Sequence, residues 1–478
     1  MNTQAMPVKT WAFAHQHRAY TAAIDTFYSE RSRGYALLME MGCGKSFTAI
    51  GITGRLFLDR HIRRVLVVAP LSILGVWMEE FAKFASFDYV LAVLNGTGPK
   101  KAETLRNLNG AGLQVAVVNY ESAWRLEKEI AEWVPDLMVA DEGHKMKTHN
   151  IAASKAMHRI GTRVSYRLLL TGTIVTNKAL DVFSQYKYLN PAIFGNSFYS
   201  FRNRYFDMTG YGNHTPVLKK SMEPELTRKL HSIAFRATKA ECLDLPETMD
   251  IVRTVELEPA AAKVYRDLVR DSYAELGNSE QGAPVAITTA NILTRLLRLS
   301  QLTGGFIGDD EGNAPRNISR AKLEALADIV EQTVQEGKKL VIIARFVPEI
   351  KAIRAMLDKQ GVGYSLIMGG VTDRDEQVTR FQTDPEVQVF VGQIATAGLG
   401  ITLTAASTLV FYSLDYSMSN FEQAKARIHR VGQKENCTYI YLAAKGTVDE
   451  KVLKALREKA DLARTLVDDY RQGRNPYQ

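Results

Sequence analysis

The stretch "YALLMEMGCGKSFTAI" at residues 35–50 decides the fold of this chain. It opens with an aliphatic run, passes through two glycines, Gly42 and Gly44, and ends in a segment that suits a helix. Similar aliphatic runs, separated by longer amphipathic stretches, recur at 64–69, 113–118, 136–140 and 166–170. Continuous apolar strands that alternate with helices predict a parallel sheet covered on both faces.

The same alternation restarts in the second half of the chain, with aliphatic runs at 339–344, 364–368, 387–392, 408–413 and 437–444. A chain of 478 residues exceeds what one hydrophobic core usually supports. We therefore predict an α/β fold of two tandem, doubly wound parallel-sheet lobes. The predicted domains are residues 1–245, with a helical insert at about 191–240, and residues 246–478, with a helical insert at about 258–315.

Composition narrows the classes of function. The net charge of +8 favours a polyanionic partner such as a nucleic acid. No apolar run approaches the roughly 20 residues that span a bilayer, and the N-terminus shows no secretory signal, so we expect no membrane segment. Three cysteines, Cys43, Cys242 and Cys437, stand far apart in no disulfide or zinc-like spacing. They indicate a reducing, intracellular compartment.

The glycine turn has the residue types of a phosphate-binding loop, namely Gly42, Cys43, Gly44, Lys45 and Ser46. Backbone N–H groups of such a loop surround phosphate oxygens, and the helix that follows adds the positive end of its dipole. Lys45 would reach the β and γ phosphates, and the Ser46 hydroxyl would bind magnesium. The full pattern has a glycine where this chain has Met39, so a plain glycine turn before a helix is the alternative.

The stretch "VADEGHKM" at residues 139–146 follows a predicted buried strand. Three interpretations are open for Asp141, Glu142 and His144: a transition-metal site, a hydrolytic site, or a charged turn. At the edge of a parallel sheet Asp141 can hold magnesium beside the phosphate loop, and Glu142 can orient or deprotonate the attacking water. A zinc site on His144 is the weaker interpretation, because no other histidine or cysteine stands at ligand spacing nearby.

A basic segment, "SNFEQAKARIHRVGQ", occupies residues 419–433. Arg427 and Arg430 are three positions apart on a predicted helix, so both side chains would point to one side. A solvated, charged helix face is the alternative. A two-lobed hydrolase needs a cation that reaches the γ-phosphate from the other lobe, and these arginines suit that role.

Taken in order, these segments resemble the helicase superfamily 2 ATPases and, within them, the Swi/Snf family of DNA translocases. The resemblance covers residues from about 11 to 455. The further segments that resemble family motifs are "AHQHRA" (14–19), "VLVVAPLSILGVWMEEFAKF" (65–84), "VVNYES" (117–122), "RLLLTGTIVTNKALDVFSQYKYLNP" (167–191), "KKLVIIARF" (338–346) and "IATAGLGITLTAASTLVFYSLDYS" (394–417).

The resemblance implies two RecA-like lobes that bind ATP and Mg²⁺, a DNA-dependent ATPase activity, and movement along double-stranded DNA that remodels DNA or displaces bound protein. The catalytic residues it implies are Lys45, Asp141, Glu142, Arg427 and Arg430. The nucleotide-binding residues it implies are Gln16, which would read adenine, then Gly42, Cys43, Gly44, Lys45, Ser46, Gly400 and Gln423, with magnesium held by Ser46 and Asp141. It implies DNA contacts at Ser72, Lys83, Asn119, Thr171, Arg345 and Thr396, and coupling residues at His144, Thr171, Gly172 and Thr173.

Three positions depart from the family pattern: Asn119 replaces threonine, Ile174 replaces proline and Thr402 replaces asparagine. None removes a group needed for hydrolysis. The alternatives are an RNA- or single-strand-directed superfamily 2 helicase, the motor subunit of a restriction or defence complex, and a non-catalytic DNA-binding scaffold. Because the core carries no recognisable appended domain, we expect a minimal bacterial or phage translocase in the cytoplasm, with a nuclear location as the alternative.

Overall fold

The computed structural model describes residues 5–172, 174–175, 178–210, 215–277, 289–308, 315–371, 373–394 and 401–464. By its contacts the chain divides into two compact units. Unit 1 is Met1–Asp244 with Lys459–Gln478, and unit 2 is Leu245–Glu458. Each unit contains its own parallel sheet, which confirms the predicted α/β class with two lobes. The boundary at residues 245 and 246 between two separate domains stays a prediction.

Unit 1 is built on a sheet whose described strands run in the order β3-β4-β2-β5-β6-β1-β9, all parallel. Its strands are β1 (Gly34–Met39), β2 (Arg64–Ala69), β3 (Tyr89–Val93), β4 (Leu113–Asn119), β5 (Leu137–Asp141), β6 (Tyr166–Leu170), β7 (Phe206–Thr209), β8 (Thr215–Leu218) and β9 (Ala234–Ala237). Strands β7 and β8 form a separate antiparallel hairpin.

The helices of unit 1 are α1 (Ala14–Tyr28), α2 (Lys45–Leu58), α3 (Leu74–Phe84), α4 (Gly98–Asn107), α5 (Tyr120–Arg125), α6 (Glu127–Trp133), α7 (Ala152–Arg163), α8 (Val182–Leu189), α9 (Pro191–Phe194), α10 (Phe198–Tyr205), α11 (Glu223–His231) and α12 (Lys239–Cys242). Short 3₁₀ helices lie at Leu71–Ile73, Gly143–Met146, Ala179–Asp181 and Lys220–Met222. Every residue of β1 and of β5 is buried, which is why these strands are continuously apolar.

Unit 2 has a parallel sheet in the order β10-β17-β16-β13-β15-β14. Its strands are β10 (Thr248–Val255), β11 (Phe306–Ile307), β12 (Arg316–Asn317), β13 (Lys339–Ala344), β14 (Gly363–Ile367), β15 (Val387–Gln393), β16 (Ala406–Phe411) and β17 (Cys437–Ala444). Its helices are α13 (Pro259–Gly277), α14 (Thr289–Thr303), α15 (Ala321–Gln335), α16 (Val347–Gln360), α17 (Arg374–Thr383), α18 (Met418–Lys425) and α19 (Val448–Arg464). None of the described helices has the length and hydropathy that a bilayer-crossing helix needs.

In the two main parallel sheets, the structure adds three strands to those predicted from the aliphatic runs. Strands β3 and β9 are the two edges of the first sheet, and β10 is an edge of the second. Six of the eight residues of β10 are exposed, so its sequence lacks the continuous apolar run of an interior strand. Edge position therefore explains why the apolar signal was weak.

The two predicted helical inserts are not wholly helical, and this is a correction. The segment 191–240 contains the β7–β8 hairpin as well as helices, and its strand β9 pairs with β1 in the main sheet. The segment 258–315 contains α13 and α14 and also β11, which pairs with β12. Short strands of two to four residues carry too few side chains to show a period of two in the sequence.

Gly34 makes the closest approach between β1 and the end of α8. A Cβ atom at this position would lie 2.2 Å from the carbonyl oxygen of Leu189. The nearest obstructing atoms are all backbone atoms of Leu189, which have little room to move, so Gly34→Ala should lower the free energy of unfolding of unit 1 by about 1–3 kcal/mol. Urea unfolding followed by circular dichroism measures the change.

Gly75, in the exposed first turn of α3, is the matched control. A Cβ there would meet no heavy atom of the described residues within 4 Å. Gly75→Ala should therefore raise stability by up to about 1 kcal/mol through helix propensity. Equal effects of the two substitutions would contradict the packing described for Gly34.

Candidate functional site

The loop between β1 and α2 has the backbone that a phosphate-binding loop requires. Gly42 has φ 91° and Gly44 has φ 82°, in the left-handed region that side chains rarely adopt. Lys45 begins α2, and its ammonium group donates a hydrogen bond to the carbonyl of Met39, 3.0 Å away on the other side of the loop. The loop is therefore formed, and the lysine amine closes it. Phosphate binding by this loop stays a prediction.

Cys43 is a structural filler in this loop. Its side chain is fully buried, and burial raises the pKa of its thiol to about 12. A thiol with such a pKa is protonated and unreactive at neutral pH.

Gln16 lies directly against the loop. Its Nε2 donates to the carbonyl of Cys43 at 3.3 Å, and its Oε1 accepts from the backbone N–H of Phe13 at 3.0 Å. A Cβ at position 44 would lie 2.1 Å from Gln16 Nε2, so a side chain there would displace the Gln16 amide as well as adopt an unfavourable φ. The structure thus brings Gln16 to the loop, while its contact with adenine stays a prediction.

Asp141 ends β5 and is held from several sides. One carboxylate oxygen accepts from the backbone N–H of Glu142 at 2.9 Å, and the other accepts from the indole Nε1 of Trp77 at 3.0 Å. The Tyr120 hydroxyl donates to the Asp141 carbonyl at 2.8 Å. Burial and the neighbouring Glu142 charge raise the pKa of Asp141 to about 7, although Lys45 acts in the opposite direction.

Glu142 occupies a strained turn. Its φ of 51° and ψ of 53° lie in the left-handed region, at a typical cost of about 1–2 kcal/mol for a residue with a side chain. The turn aims the carboxylate at the His144 ring, with 3.1 Å between Glu142 Oε2 and His144 Nδ1. Both side chains are largely buried. Strain of this kind is typical of functional sites.

The transition-metal interpretation of "DEGH" receives no support. Among the described residues no group of three or more His, Cys, Asp or Glu side chains is arranged to hold a metal ion. A hard divalent cation is a better match, because the buried Asp141 carboxylate carries a raised pKa that a nearby cation would lower. The Asp141 carboxylate is therefore chemically suited to a magnesium ion, and magnesium binding stays a prediction.

The loop after β6 lies beside the phosphate loop. Leu170, the last residue of β6, is paired with Asp141 on one side and with Leu37 on the other. Thr171 is fully buried, and a Cβ at Gly172 would lie 3.4 Å from the carbonyl oxygen of Met39. Thr173 lies outside the described residues. The described part of the predicted coupling segment thus lies against the start of the loop between β1 and α2.

The predicted DNA contacts of unit 1 are only partly brought together. Ser72 lies in the 3₁₀ helix after β2, and Asn119 ends β4, where its Nδ2 donates to Glu121 Oε2 at 3.1 Å. Both therefore lie at the sheet edge that carries Asp141. Lys83 is exposed at the far end of α3, roughly 15 Å along the helix from its first turn, with its amine 5.1 Å from the Phe84 ring centroid.

In unit 2, Arg345 follows β13 in a tightly held turn. Its backbone N–H donates to Ser413 Oγ at 2.8 Å and to Glu349 Oε2 at 3.1 Å, and its guanidinium lies 4.8 Å from the Phe346 ring centroid. Gln423 lies on α18, where its Nε2 donates to Ser419 Oγ at 3.3 Å. Thr396 and Gly400 lie outside the described residues.

The predicted helix under Arg427 and Arg430 is wrong. Helix α18 ends at Lys425, and the two arginines lie in the turns that follow. They still face one side, because the Nη1 atoms of Arg427 and Arg430 donate to the same carbonyl, that of Ile401, at 3.4 Å and 3.2 Å. The shared acceptor, rather than helical spacing, brings them together.

Several residues that support this site from outside it carry no clear sequence signal. Trp77 lies in one of the family-like segments and Tyr120 in another, and neither sequence pattern indicates a contact with Asp141. Glu40 and Arg236 were not singled out, although Arg236 Nη2 donates to Glu40 Oε1 at 3.0 Å. Their partners are far apart along the chain, so only the fold reveals them.

The Trp77 indole generates the first prediction for the site. Trp77→Phe leaves a buried, charge-bearing carboxylate oxygen without its side-chain donor, which should cost about 1–3 kcal/mol of stability. Trp133→Phe is the matched control, because Trp133 is also buried but its Nε1 has no hydrogen-bond partner among the described residues. The difference in free energy of unfolding between the two variants measures the indole contact; no difference would contradict it.

Glu349 generates a pH-dependent prediction. It is buried, and burial raises its pKa from about 4.5 to about 7, although Oε2 accepts from Ser413 and from two backbone N–H groups. The folded state therefore holds a proton that the unfolded chain releases, and stability falls as the pH rises from about 4.5 to about 7. Glu349→Gln removes this pH dependence of the stability, because an amide side chain does not titrate.

The variant should gain up to about 3 kcal/mol relative to the unmodified protein between about pH 5 and about pH 8, as measured by urea unfolding at each pH. Glu324→Gln, at a carboxylate that is 68% exposed on α15, is the control and should show no such gain. A stability difference that is independent of pH would contradict the burial of a titrating carboxyl at Glu349.

Two family models match the chain. A SNF2-related domain matches residues 15–303, and a helicase conserved C-terminal domain matches residues 321–432. Similar proteins include the DNA repair and recombination protein RDH54 of Saccharomyces cerevisiae (strain JAY291), 26% identical over 440 residues. An uncharacterized ATP-dependent helicase of Mycoplasma pneumoniae is 25% identical over 449 residues.

These alignments cover 85% and 92% of this chain but 46% and 41% of the two relatives, so the chain spans less than half of their length. Among solved structures, the SWI2/SNF2 ATPase core of Sulfolobus solfataricus in complex with dsDNA is 24% identical, with 98% of this chain and 95% of that chain covered and a TM-score of 0.47. That score is too low to add weight to the family models. The first family model alone matches more than half of the residues of this chain, so the chain belongs to the SNF2-related family.

Proposed function

We propose that this protein is an ATP-dependent translocase on double-stranded DNA, and therefore a DNA-dependent ATPase. The observation that carries the proposal is the meeting of a formed phosphate loop with the buried Asp141–Glu142 turn at one edge of a parallel sheet. Membership of the SNF2-related family supports the same activity.

The chemical step follows from the residues at that edge. The β and γ phosphates of ATP would replace the Met39 carbonyl as the acceptors for Lys45. The lysine amine would turn from Met39 toward these phosphates. Ser46 and Asp141 would hold magnesium, which supplies charge neutralisation at the phosphates. The Glu142 carboxylate would orient water and accept its proton.

The water oxygen then bonds to the γ phosphorus while the bond to the β–γ bridging oxygen breaks, which releases ADP and phosphate. Arg427 and Arg430, which share one carbonyl acceptor, would supply positive charge to the γ-phosphate. Gly400 and Gln423 remain proposed nucleotide contacts.

Duplex DNA is the proposed partner. The net charge of +8 suits a polyanion, and the similar protein RDH54 of Saccharomyces cerevisiae is named as a DNA repair and recombination protein. The proposed backbone contacts are Ser72, Lys83, Asn119, Thr171, Arg345 and Thr396. Phosphate contacts of this kind should weaken steeply with added salt.

Coupling between hydrolysis and DNA is proposed for His144 and for the segment Thr171, Gly172 and Thr173. The 3.1 Å contact between His144 and Glu142 supports this role, because a shift of the ring would move the proposed water activator. Movement along the duplex would serve to remodel DNA or to displace bound protein. Such work requires ATP and DNA, so we propose an intracellular, cytoplasmic location.

ATP turnover with different nucleic acids tests the proposal. Double-stranded DNA should stimulate turnover more than single-stranded DNA or RNA of equal length. Lys45→Ala and Glu142→Gln should each lower the stimulated rate by at least about a hundredfold, because they remove phosphate contact and water activation respectively.

Lys128→Ala and Glu132→Gln are the matched controls, since both side chains are more than half exposed and pair only weakly at 3.9 Å. Both should retain full turnover. Stronger stimulation by RNA would transfer the proposal to an RNA-directed helicase, and near-normal turnover in the Lys45 or Glu142 variant would overturn the site.

A further inference from the structure

The Arg236 side chain joins three segments of unit 1. Arg236 lies on β9, the edge strand beside β1, and its side chain is only 6% exposed. Its Nη1 donates to the carbonyls of Leu38 and of Gly172, each at 3.2 Å, and its Nη2 donates to Glu40 Oε1 at 3.0 Å. One guanidinium thus holds the end of β1, the start of the phosphate loop and the loop after β6.

Glu40 is also held by two hydrogen bonds to residues of β9 and of the segment that follows it. Its N–H donates to the carbonyl of Ala237 at 2.9 Å, and its second carboxylate oxygen accepts from the N–H of Lys239 at 2.9 Å. The carboxylate is therefore oriented before it meets Arg236. Hydrogen bonds between ionised groups in such fixed geometry are stronger than those between neutral groups.

Lys45 contacts Met39, the residue that lies between two of the contacts of Arg236. Arg236 bonds to Leu38 and to Glu40, which flank Met39, and Lys45 donates to the Met39 carbonyl itself. The backbone of Gly172 lies against the same residue, since a Cβ at Gly172 would be 3.4 Å from the Met39 oxygen. When Lys45 turns to a phosphate, the Met39 carbonyl loses the hydrogen bond from Lys45. Met39 lies between Leu38 and Glu40, which Arg236 contacts.

We propose that Arg236 is a positioning residue that couples the phosphate loop to the segment 170–172, so that nucleotide binding changes the position of Gly172 and its neighbour Thr171. This proposal rests on the proposed function for its link to DNA. An arginine is required because its planar fork reaches two carbonyls and a carboxylate at once, whereas a lysine amine in this space would keep the charge and reach only part of the set.

Hydrogen exchange of the segment 166–172 tests the coupling without DNA. Magnesium with a slowly hydrolysed ATP analogue should slow exchange of this segment in the unmodified protein. In Arg236→Lys the same analogue should bind with an affinity within about threefold, yet the change in exchange should be lost. An equal change in both proteins, or none in the unmodified protein, would overturn the proposal.

Turnover supplies the second readout. In Arg236→Lys the ratio of turnover with duplex DNA to turnover without it should fall at least about tenfold, while basal turnover stays within about threefold. Arg167→Lys is the matched control, because Arg167 is also buried but lies near the start of the neighbouring strand β6, away from the loops. An equal fall of basal and stimulated turnover would assign Arg236 a purely structural role.

Glu40→Gln provides a second variant in case Arg236→Lys fails to fold. If Arg236 acts through Glu40, the single Glu40→Gln change should lower the stimulation ratio, and adding Arg236→Lys should lower it no further. Additive losses would contradict the shared role. Absence of duplex stimulation in the unmodified protein would overturn the proposed function, while the exchange measurement would still decide the role of Arg236.

Discussion

The in-register pairing of β1, β6 and β5 is the constraint on which the rest of the candidate site depends. Leu170 is opposite Leu37 on one side and Asp141 on the other, so the three strands end at one edge and their loops must meet there. Parallel pairing requires a helical crossover between strands, and this crossover brings α2 to the loop with Lys45 at its first turn. Chemistry from distant parts of the sequence is thereby assembled on one rigid support.

The edge carries charges whose environment defines their use. The Asp141 carboxylate has a raised pKa because it is buried beside Glu142, and Lys45 offsets this only in part. We propose that a bound cation and a triphosphate complete the balance of charge at this edge. Arg236 and Glu40 add a second, already neutralised pair at the back of the loop, where it can transmit movement rather than take part in catalysis.

Much of the fold was predictable from the sequence, because the interior strands are buried on both faces and show it as continuous apolar runs. The edge strands β3, β9 and β10 were missed because one side of an edge strand meets no neighbour, and β9 is only four residues long. The positions of the glycine loop and the acidic turn at one sheet edge were predictable from the order of strands and residue types, while phosphate binding stays a prediction. The end of α18 at Lys425 was not predictable, and neither was the contact of Arg427 and Arg430 with the Ile401 carbonyl, because such tertiary contacts leave no local sequence pattern. Arg236 left no sequence signal, because its acceptors include backbone carbonyls up to 198 positions away.

Displacement of a third DNA strand from a duplex tests the central claim that hydrolysis at this edge drives movement along double-stranded DNA. The protein is added to a duplex that carries a short triplex-forming oligonucleotide, and release of the oligonucleotide is followed with ATP and with a non-hydrolysable analogue. We expect release of the oligonucleotide with ATP and no release with the analogue, while the two strands of the duplex stay paired. Duplex-stimulated hydrolysis without release of the third strand, or release with the analogue, would contradict it.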